Sequence, residues 1–187
     1  MWQGREPELL TDRLKLRAFR MADLPDLHAI DSDPAVTYFR GIEPMTQEES
    51  EAWVRRAQKG TPKAGRKHFS WCIRRRQDDA FVGFTLLRST RLEYQEWEVG
   101  YCLAQAQWGQ GYATEATRGT LEFAYRQLSA HRVVANVYPQ NEPSLKLLRK
   151  LGFREEARQL ETYFEHGEWQ DNVQYALLSR EWEQRAD

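Results

Sequence analysis

The order of periodicities along these 187 residues predicts an α/β (α+β) fold, a mixed, largely antiparallel sheet of about seven strands flanked by about four helices. Three observations carry that reading. Short runs of strand character alternate with stretches of helical spacing in the order β-α-α-β-β-β-α-β-α-β-β. A glycine-rich turn, Trp108-Gly-Gln-Gly-Tyr-Ala-Thr-Glu-Ala116, links a strand-like run to a helical one. The chain then closes on two long strand-like runs around His166-Gly167, which is the pattern of a hairpin.

Each element follows from local chemistry. Leu14-Lys-Leu-Arg-Ala-Phe19 alternates and makes a first strand. A short helix is expected around Ala22–Ile30, with Asp23 near its start. Thr46-Gln-Glu-Glu49 is a capping-box pattern and begins a second helix that runs to about Lys59. Thr61–Lys67, with Pro62 and Gly65 among basic residues, reads as a mobile loop. Strand signals cover Phe69–Arg75, Ala80–Leu87 and Trp97–Ala104, and the polar turn Gln77-Asp78-Asp79 makes the first two an antiparallel hairpin. From about Gly111 to Leu128 one helix face collects Ala113, Ala116, Thr120, Phe123 and Ala124. Arg132–Tyr138 is a β-branched strand. Asn141–Leu151 is a helix with an N-cap asparagine, a first-turn proline and a terminating Gly152. Phe153–Phe164 and Trp169–Leu178 form the closing hairpin.

Length and composition bound the function. One domain of this size, 41% hydrophobic and 29% charged, buries an ordinary core and is not disordered. With 27 basic and 28 acidic residues the net charge is -1, which argues against salt-driven nucleic-acid binding. The two cysteines, Cys72 and Cys102, read as reduced core residues rather than a disulfide. His28, His68, His131 and His166 are scattered without metal-site spacing, so no metal is expected. No apolar run reaches the length of a membrane span and the start has no signal-peptide core, so the expectation is a soluble, cytoplasmic chain with no membrane partner.

The glycine-rich turn carries the chemistry. Small residues at a strand-to-helix turn let successive N–H groups converge, and the helix dipole adds about half a positive charge there. Such a turn holds phosphate oxygens without lysine and suggests a pyrophosphate-bearing cofactor, although Gly-x-Gly alone is common. Asn141-Glu-Pro-Ser-Leu-Lys-Leu-Leu-Arg-Lys-Leu-Gly-Phe153 is explained by itself as a capped amphipathic helix; paired with the first motif it gains a second reading.

Together these segments resemble the GCN5-related N-acetyltransferase (GNAT) superfamily, and more closely its ribosomal-protein-alanine (RimJ/RimL-like) branch. The likeness spans Thr11-Asp-Arg-Leu-Lys-Leu-Arg17, Glu98-Val-Gly-Tyr101, the glycine-rich turn, Asn-x-x-Ser to Leu-Gly-Phe, and Gly167-Glu-Trp-Gln-Asp171 with Tyr175-Ala-Leu-Leu178. It implies one N-acetyltransferase domain over 1–187, with 1–9 a loosely held tail, and acetyl-CoA as cofactor. A splayed strand pair would hold the pantetheine along Cys102, Leu103 and Ala104. The pyrophosphate would meet Trp108, Gly109, Gln110, Gly111, Tyr112, Ala113 and Thr114, with Asn141 and Ser144 completing the site. Many members begin this loop with Gln or Arg; Trp108 is common in the branch named. A homodimer is a further expectation of the resemblance.

The implied reaction is attack of a neutral amine on a thioester through a tetrahedral oxyanion. Glu98 is the candidate general base, acting through one water, against the alternative of a solvent-facing strand carboxylate. A backbone N–H near Leu103 would meet the oxyanion. Many members carry a tyrosine acid four residues after the Ser144 position; here that residue is Leu148, so Ser144 is the substitute candidate, or else simply a helix-start residue. An α-amine with pKa of about 7.7–8.0 is far more often neutral than lysine at about 10.4, which favours a protein or peptide N-terminus. An aminoglycoside or other small amine, and a non-catalytic acyl-CoA-binding module, stand as alternatives. Trp71, Trp97 and Trp169 are expected in the core, Trp53 and Trp182 at a groove or dimer face. Glu93, Glu96, Glu98, Glu155, Glu156 and Glu161 are either an acidic rim for a cationic acceptor or a solvated face.

Overall fold

The computed structural model describes residues 6–59 and 68–184. Its eight strands are β1 (Leu9–Leu10), β2 (Leu14–Ala18), β3 (His68–Arg75), β4 (Phe81–Arg91), β5 (Glu96–Leu103), β6 (Arg132–Val137), β7 (Arg154–Glu165) and β8 (Glu168–Leu178). The α-helices are α1 (Leu24–Asp31), α2 (Pro34–Thr37), α3 (Gln47–Lys59), α4 (Tyr112–Gln127), α5 (Glu142–Leu151) and α6 (Ser179–Glu183). All strands join one sheet in the order β1-β2-β3-β4-β5-β6-β8-β7. Only β5 and β6 run parallel.

The predicted α/β fold is therefore present, with one strand and two helices more than the sequence suggests. β1, α2 and α6 are too short to show a period. The capping box is formed as expected: Thr46 N–H donates to the Glu49 carboxylate at 2.8 Å, and Glu49 N–H returns to Thr46 Oγ at 3.3 Å. Within the segment expected as a loose tail, the described residues 6–9 are attached to the sheet. Pro7 carbonyl accepts from the Trp71 indole at 2.8 Å, and Leu9 pairs with Leu16. The loop Thr61–Lys67 lies outside the described residues.

Strand alternation builds two cores. Leu14, Leu16, Phe69, Trp71, Ile73, Leu87, Trp97 and Val99 face α4 and α5, which contribute Ala116, Leu121, Phe123, Leu145, Leu148 and Leu151. The opposite face joins Cys72, Phe84 and Cys102 to Leu27, Ile30, Val36 and Val54 from α1, α2 and α3. Trp169 departs from the expected core. It is 59% exposed and packs edge-on to Phe164 at 5.3 Å, because the β7–β8 hairpin runs past the end of β6.

One buried ion cluster fixes the helical layer that later frames the site. Asp23, 1% exposed, accepts from Arg17 at 2.7 and 2.8 Å, from Arg20 N–H at 2.8 Å and from Arg74 at 2.5 Å. Burial alone would raise this carboxyl; the bonds from Arg17, the Arg20 amide and Arg74 overcome it and bring it down to about 2. A carboxyl lowered on folding adds stability above its ordinary range and loses it as pH falls through the folded value. Asp23→Asn should cost roughly 3 kcal/mol near neutrality, since Arg17 loses its buried counter-charge. In urea titrations the gap between wild type and variant should narrow by about 2 kcal/mol as pH falls from about 5 towards 2. A gap independent of pH would contradict this assignment.

Candidate functional site

The sheet opens where its two parallel strands part. β5 and β6 pair only through Glu96↔Arg132, Trp97↔Val133 and Glu98↔Val134. Beyond that point β5 stays with β4 as far as Gly83↔Leu103, while β6 stays with β8 as far as Val137↔Val173. Gly83 permits the close approach on the β4 side, since a Cβ there would collide with the Cys102 carbonyl. Ala104 N–H donates to Val82 carbonyl at 3.0 Å, so the alternation turns the main-chain groups of Leu103 and Tyr101 away from β4 and into the gap.

A cavity of about 500 Å³ fills this gap. It is lined by Cys102, Leu103, Trp108, Gly109, Gly111, Tyr112, Ala113, Thr114, Asn141 and Ser144, ten of the residues singled out from sequence. Ala104 and Gln110 are left out: the first spends its N–H on β4, and the second folds its side chain back to Ala106 carbonyl at 3.1 Å. Trp108 donates its indole N–H to Leu103 carbonyl at 2.9 Å, which ties the loop entry to the strand it leaves.

Gly109 and Gly111 take φ of 73° and 80°, a region that favours glycine, and nothing crowds the Gly109 position. α4 begins at Tyr112, so the N–H groups of Tyr112, Ala113 and Thr114 have no partner within the helix. The loop is pinned from a distance. Arg13 donates from Nη1 to Gln110 carbonyl at 3.0 Å and from Nε to Glu115 at 2.7 Å, and Thr11 Oγ donates to Glu115 at 2.6 Å. Burial pushes the Glu115 carboxyl up, but Thr11 and Arg13 outweigh it and hold it below the usual range. Unpaired helix-start donors, no lining carboxylate, and Lys146, Lys150 and Arg40 on the walls suit an elongated anionic ligand with a diphosphate at the loop.

A second cavity, of about 270 Å³, lies beside the first, lined by β5 from Val99 to Cys102 and by β6 from Ala135 to Val137. Phe39, Arg40, Tyr101, Cys102, Asn141 and Ser144 line both cavities, so the two meet there. At this junction Tyr101 Oη and Ser144 Oγ are hydrogen-bonded at 2.7 Å. Burial pushes the Tyr101 hydroxyl up to about 12, the bond with Ser144 opposing, so it keeps its proton. Arg40 reaches the junction from the turn after α2 and is ion-paired with fully buried Asp31. Asn141 Oδ1 accepts from Ser144 N–H at 3.2 Å, which leaves the Ser144 hydroxyl free of capping duty. Leu148 is fully buried in the α4–α5 core, lines neither cavity and has no proton to give. Burial pushes the Cys102 thiol up to about 12, which disfavours its thiolate form.

Glu98 lines neither cavity. It lies on the face of β5 that carries Gly100 and Cys102, and Arg88, directly opposite on β4, donates to its Oε2 at 2.8 Å. Three other acidic residues of the suspected rim, Glu96, Glu155 and Glu156, are similarly engaged. Arg91 and Arg132 hold Glu96, Tyr175 Oη donates to Glu155 at 3.1 Å, and Arg132 and Arg154 hold Glu156. Asp171 accepts from Arg158 at 2.9 Å and from Glu161 N–H at 3.0 Å. Trp53 does line the second cavity, whereas Trp182 stacks on Tyr125 at 5.7 Å. Among the described residues no group of three or more His, Cys, Asp or Glu could hold a metal, and no helix is long and apolar enough to cross a membrane.

Comparison with known proteins gives this geometry a context. A family model for an acetyltransferase (GNAT) domain matches residues 13–154. The chain is 26% identical over 174 residues to the uncharacterized N-acetyltransferase YnaD of Bacillus subtilis (strain 168), covering 93% of this chain and 98% of that one. Over 84 residues it is 33% identical to the ribosomal protein uS5-alanine N-acetyltransferase of Escherichia coli (strain K12), covering 45% and 43%. The fold matches that of spermidine N-acetyltransferase from Vibrio cholerae, solved with CoA and spermine, with a TM-score of 0.80 at 20% identity, covering 92% of this chain and 99% of that one.

Gly111→Val should strain the loop by about 1–3 kcal/mol and raise the Kd for CoA at least tenfold in calorimetry. Arg13→Ala, which unties the same loop and removes the guanidinium stacked over Tyr112 at 4.5 Å, should raise it about threefold to tenfold. Unchanged affinity in both variants would remove the loop from the site.

Proposed function

The chain belongs to the GNAT acetyltransferase family, and we propose that it transfers the acetyl group of acetyl-CoA to the α-amine of a protein or peptide. The observation that carries the acceptor is electrostatic. The second cavity is lined by no carboxylate and bears Arg40, so it offers no anionic partner to an ammonium ion. An amine that arrives neutral suits it best. At neutral pH an α-amine with a pKa of about 7.7–8.0 does so readily, and an alkylammonium near 10.4 does so about once per thousand molecules. The uS5-alanine enzyme among the relatives supports the same acceptor class.

The cofactor supplies an activated acetyl thioester when bound. Every other contribution comes from this chain's residues. The amides of Gly109, Gly111 and Tyr112 to Thr114 anchor the diphosphate, and Leu103 N–H lies in the gap as a fixed donor for the acyl oxygen. Ser144 Oγ, backed by a Tyr101 hydroxyl that stays protonated, stands at the cavity junction and would offer an O–H to the sulfur of a thioester bound there. A thiol with pKa about 8.5 needs only that hydrogen bond to leave near neutrality. The proton released by the amine passes to water, and Glu98, on the β5 face that carries Gly100 and Cys102, accepts it from there. Arg88 keeps that carboxylate in place.

These assignments separate in thiol-release kinetics. Ser144→Ala should lower kcat by about tenfold to a hundredfold and Tyr101→Phe by about tenfold, with KM for acetyl-CoA within about threefold. Glu98→Gln should cost no more than about tenfold, less than a directly placed base. With a peptide acceptor, kcat/KM should rise with pH through about 8 and shift when an amine of different pKa is substituted. A profile fixed by the protein regardless of acceptor, or no turnover with any α-amine, would overturn this reading.

A further inference from the structure

The second cavity has a polar edge that the transfer reaction itself does not use. Asn136, an exposed residue of β6, lines it. Behind it, buried Asn172 on β8 donates its amide N–H to Asn136 Oδ1 at 3.1 Å and to Gln159 Oε1 at 2.8 Å, and Gln174 Nε2 approaches the same Oδ1 at 3.5 Å. β6 lies between β5 and β8, so an Oδ1 held by β8 leaves Nδ2 unspent beside the cavity that Asn136 lines. Among the described residues Asn136 Nδ2 has no protein acceptor.

Arg40 supplies the other fixed polarity. Asp31 takes one end of its guanidinium from behind, fully buried, while the Arg40 side chain lines both cavities. Between these two donor groups the walls are Phe39, Trp53, Phe84, Leu86, Val99 and Val137. The cavity thus presents N–H donors, apolar surface and no anion. That arrangement fits an amine carrying a hydrogen-bond-accepting oxygen close by. It is hostile to an amine carrying further ammonium groups.

Resting on the α-amine reading above, we propose that Asn136, oriented by Asn172, is a specificity-determining residue that donates to the first carbonyl of a peptide acceptor and, with Arg40, excludes polyamines. A site built to donate to an acceptor oxygen leaves its own donors unpaired when that oxygen is missing, which penalises the wrong amine strongly. The neighbours of Asn136 allow a clean reversal. Asn136→Asp keeps the oxygen that Asn172 and Gln174 require and replaces the cavity-facing donor with an anionic acceptor.

The test compares kcat/KM for an alanine-initiated peptide, a matched alkylamine lacking the carbonyl, and spermidine, in wild type and Asn136→Asp. Wild type should favour the peptide over spermidine by about a hundredfold or more. In the variant that ratio should fall at least tenfold, through a raised KM for the peptide and a gain with spermidine, while the Kd for CoA stays unchanged as the check on folding. A ratio within about twofold of wild type, with peptide turnover intact, would overturn this inference alone. Wild type that acetylates spermidine and no peptide would overturn the α-amine reading and this inference together.

Discussion

Two neighbouring strands of one sheet stay hydrogen-bonded for three residue pairs and then stop, because each is held more firmly by its other neighbour. β5 is committed to β4 through Leu103 and β6 to β8 through Val137. Unpaired main-chain groups in a protein interior carry a large cost unless something bonds to them. Here the exposed edge of β5 is the feature around which everything else is arranged. The helix that starts beyond it brings unpaired N–H groups, the loop between them is glycine-rich so that it can turn, and α5 closes the far side with Asn141 and Ser144.

A second constraint is electrostatic. Acidic residues are plentiful in this chain, yet several near the site are paired with arginines. Arg13 takes Glu115, Arg88 takes Glu98, Arg132 takes Glu96 and Glu156, and Asp31 is turned to Arg40. Both cavities are consequently without lining carboxylates, one suited to an anionic cofactor and the other to an uncharged amine. The V. cholerae spermidine enzyme shares the fold at 20% identity, which shows how little the scaffold alone says about the acceptor.

What could be read from sequence was what is local. The positive-φ glycines at 109 and 111, the helix beginning at 112 and the Asn141 cap involve residues within a few positions of each other, so their signals survive in a single chain. What could not be read is what the topology brings together. The Tyr101–Ser144 bond joins residues 43 apart, and the Arg13–Glu115 clamp joins residues 102 apart. Glu98 looked like an unengaged strand carboxylate because its partner, Arg88, is set by the β4–β5 register. Trp169 looked like core because alternation cannot reveal that a hairpin outruns the sheet behind it. The Tyr101 hydroxyl had one legible hint, the absence of a tyrosine at position 148, which implies that some other group serves the leaving sulfur.

The most direct test is to follow backbone amide resonances of isotope-labelled protein while CoA is added. The account predicts that the largest changes fall on Leu103 and on Gly109 through Thr114, with Ser144 next and the β1–β3 end of the sheet unmoved. Saturable binding that leaves those amides unshifted would mean that the nucleotide sits elsewhere, and that the parting of β5 and β6 is not what this protein uses to hold it.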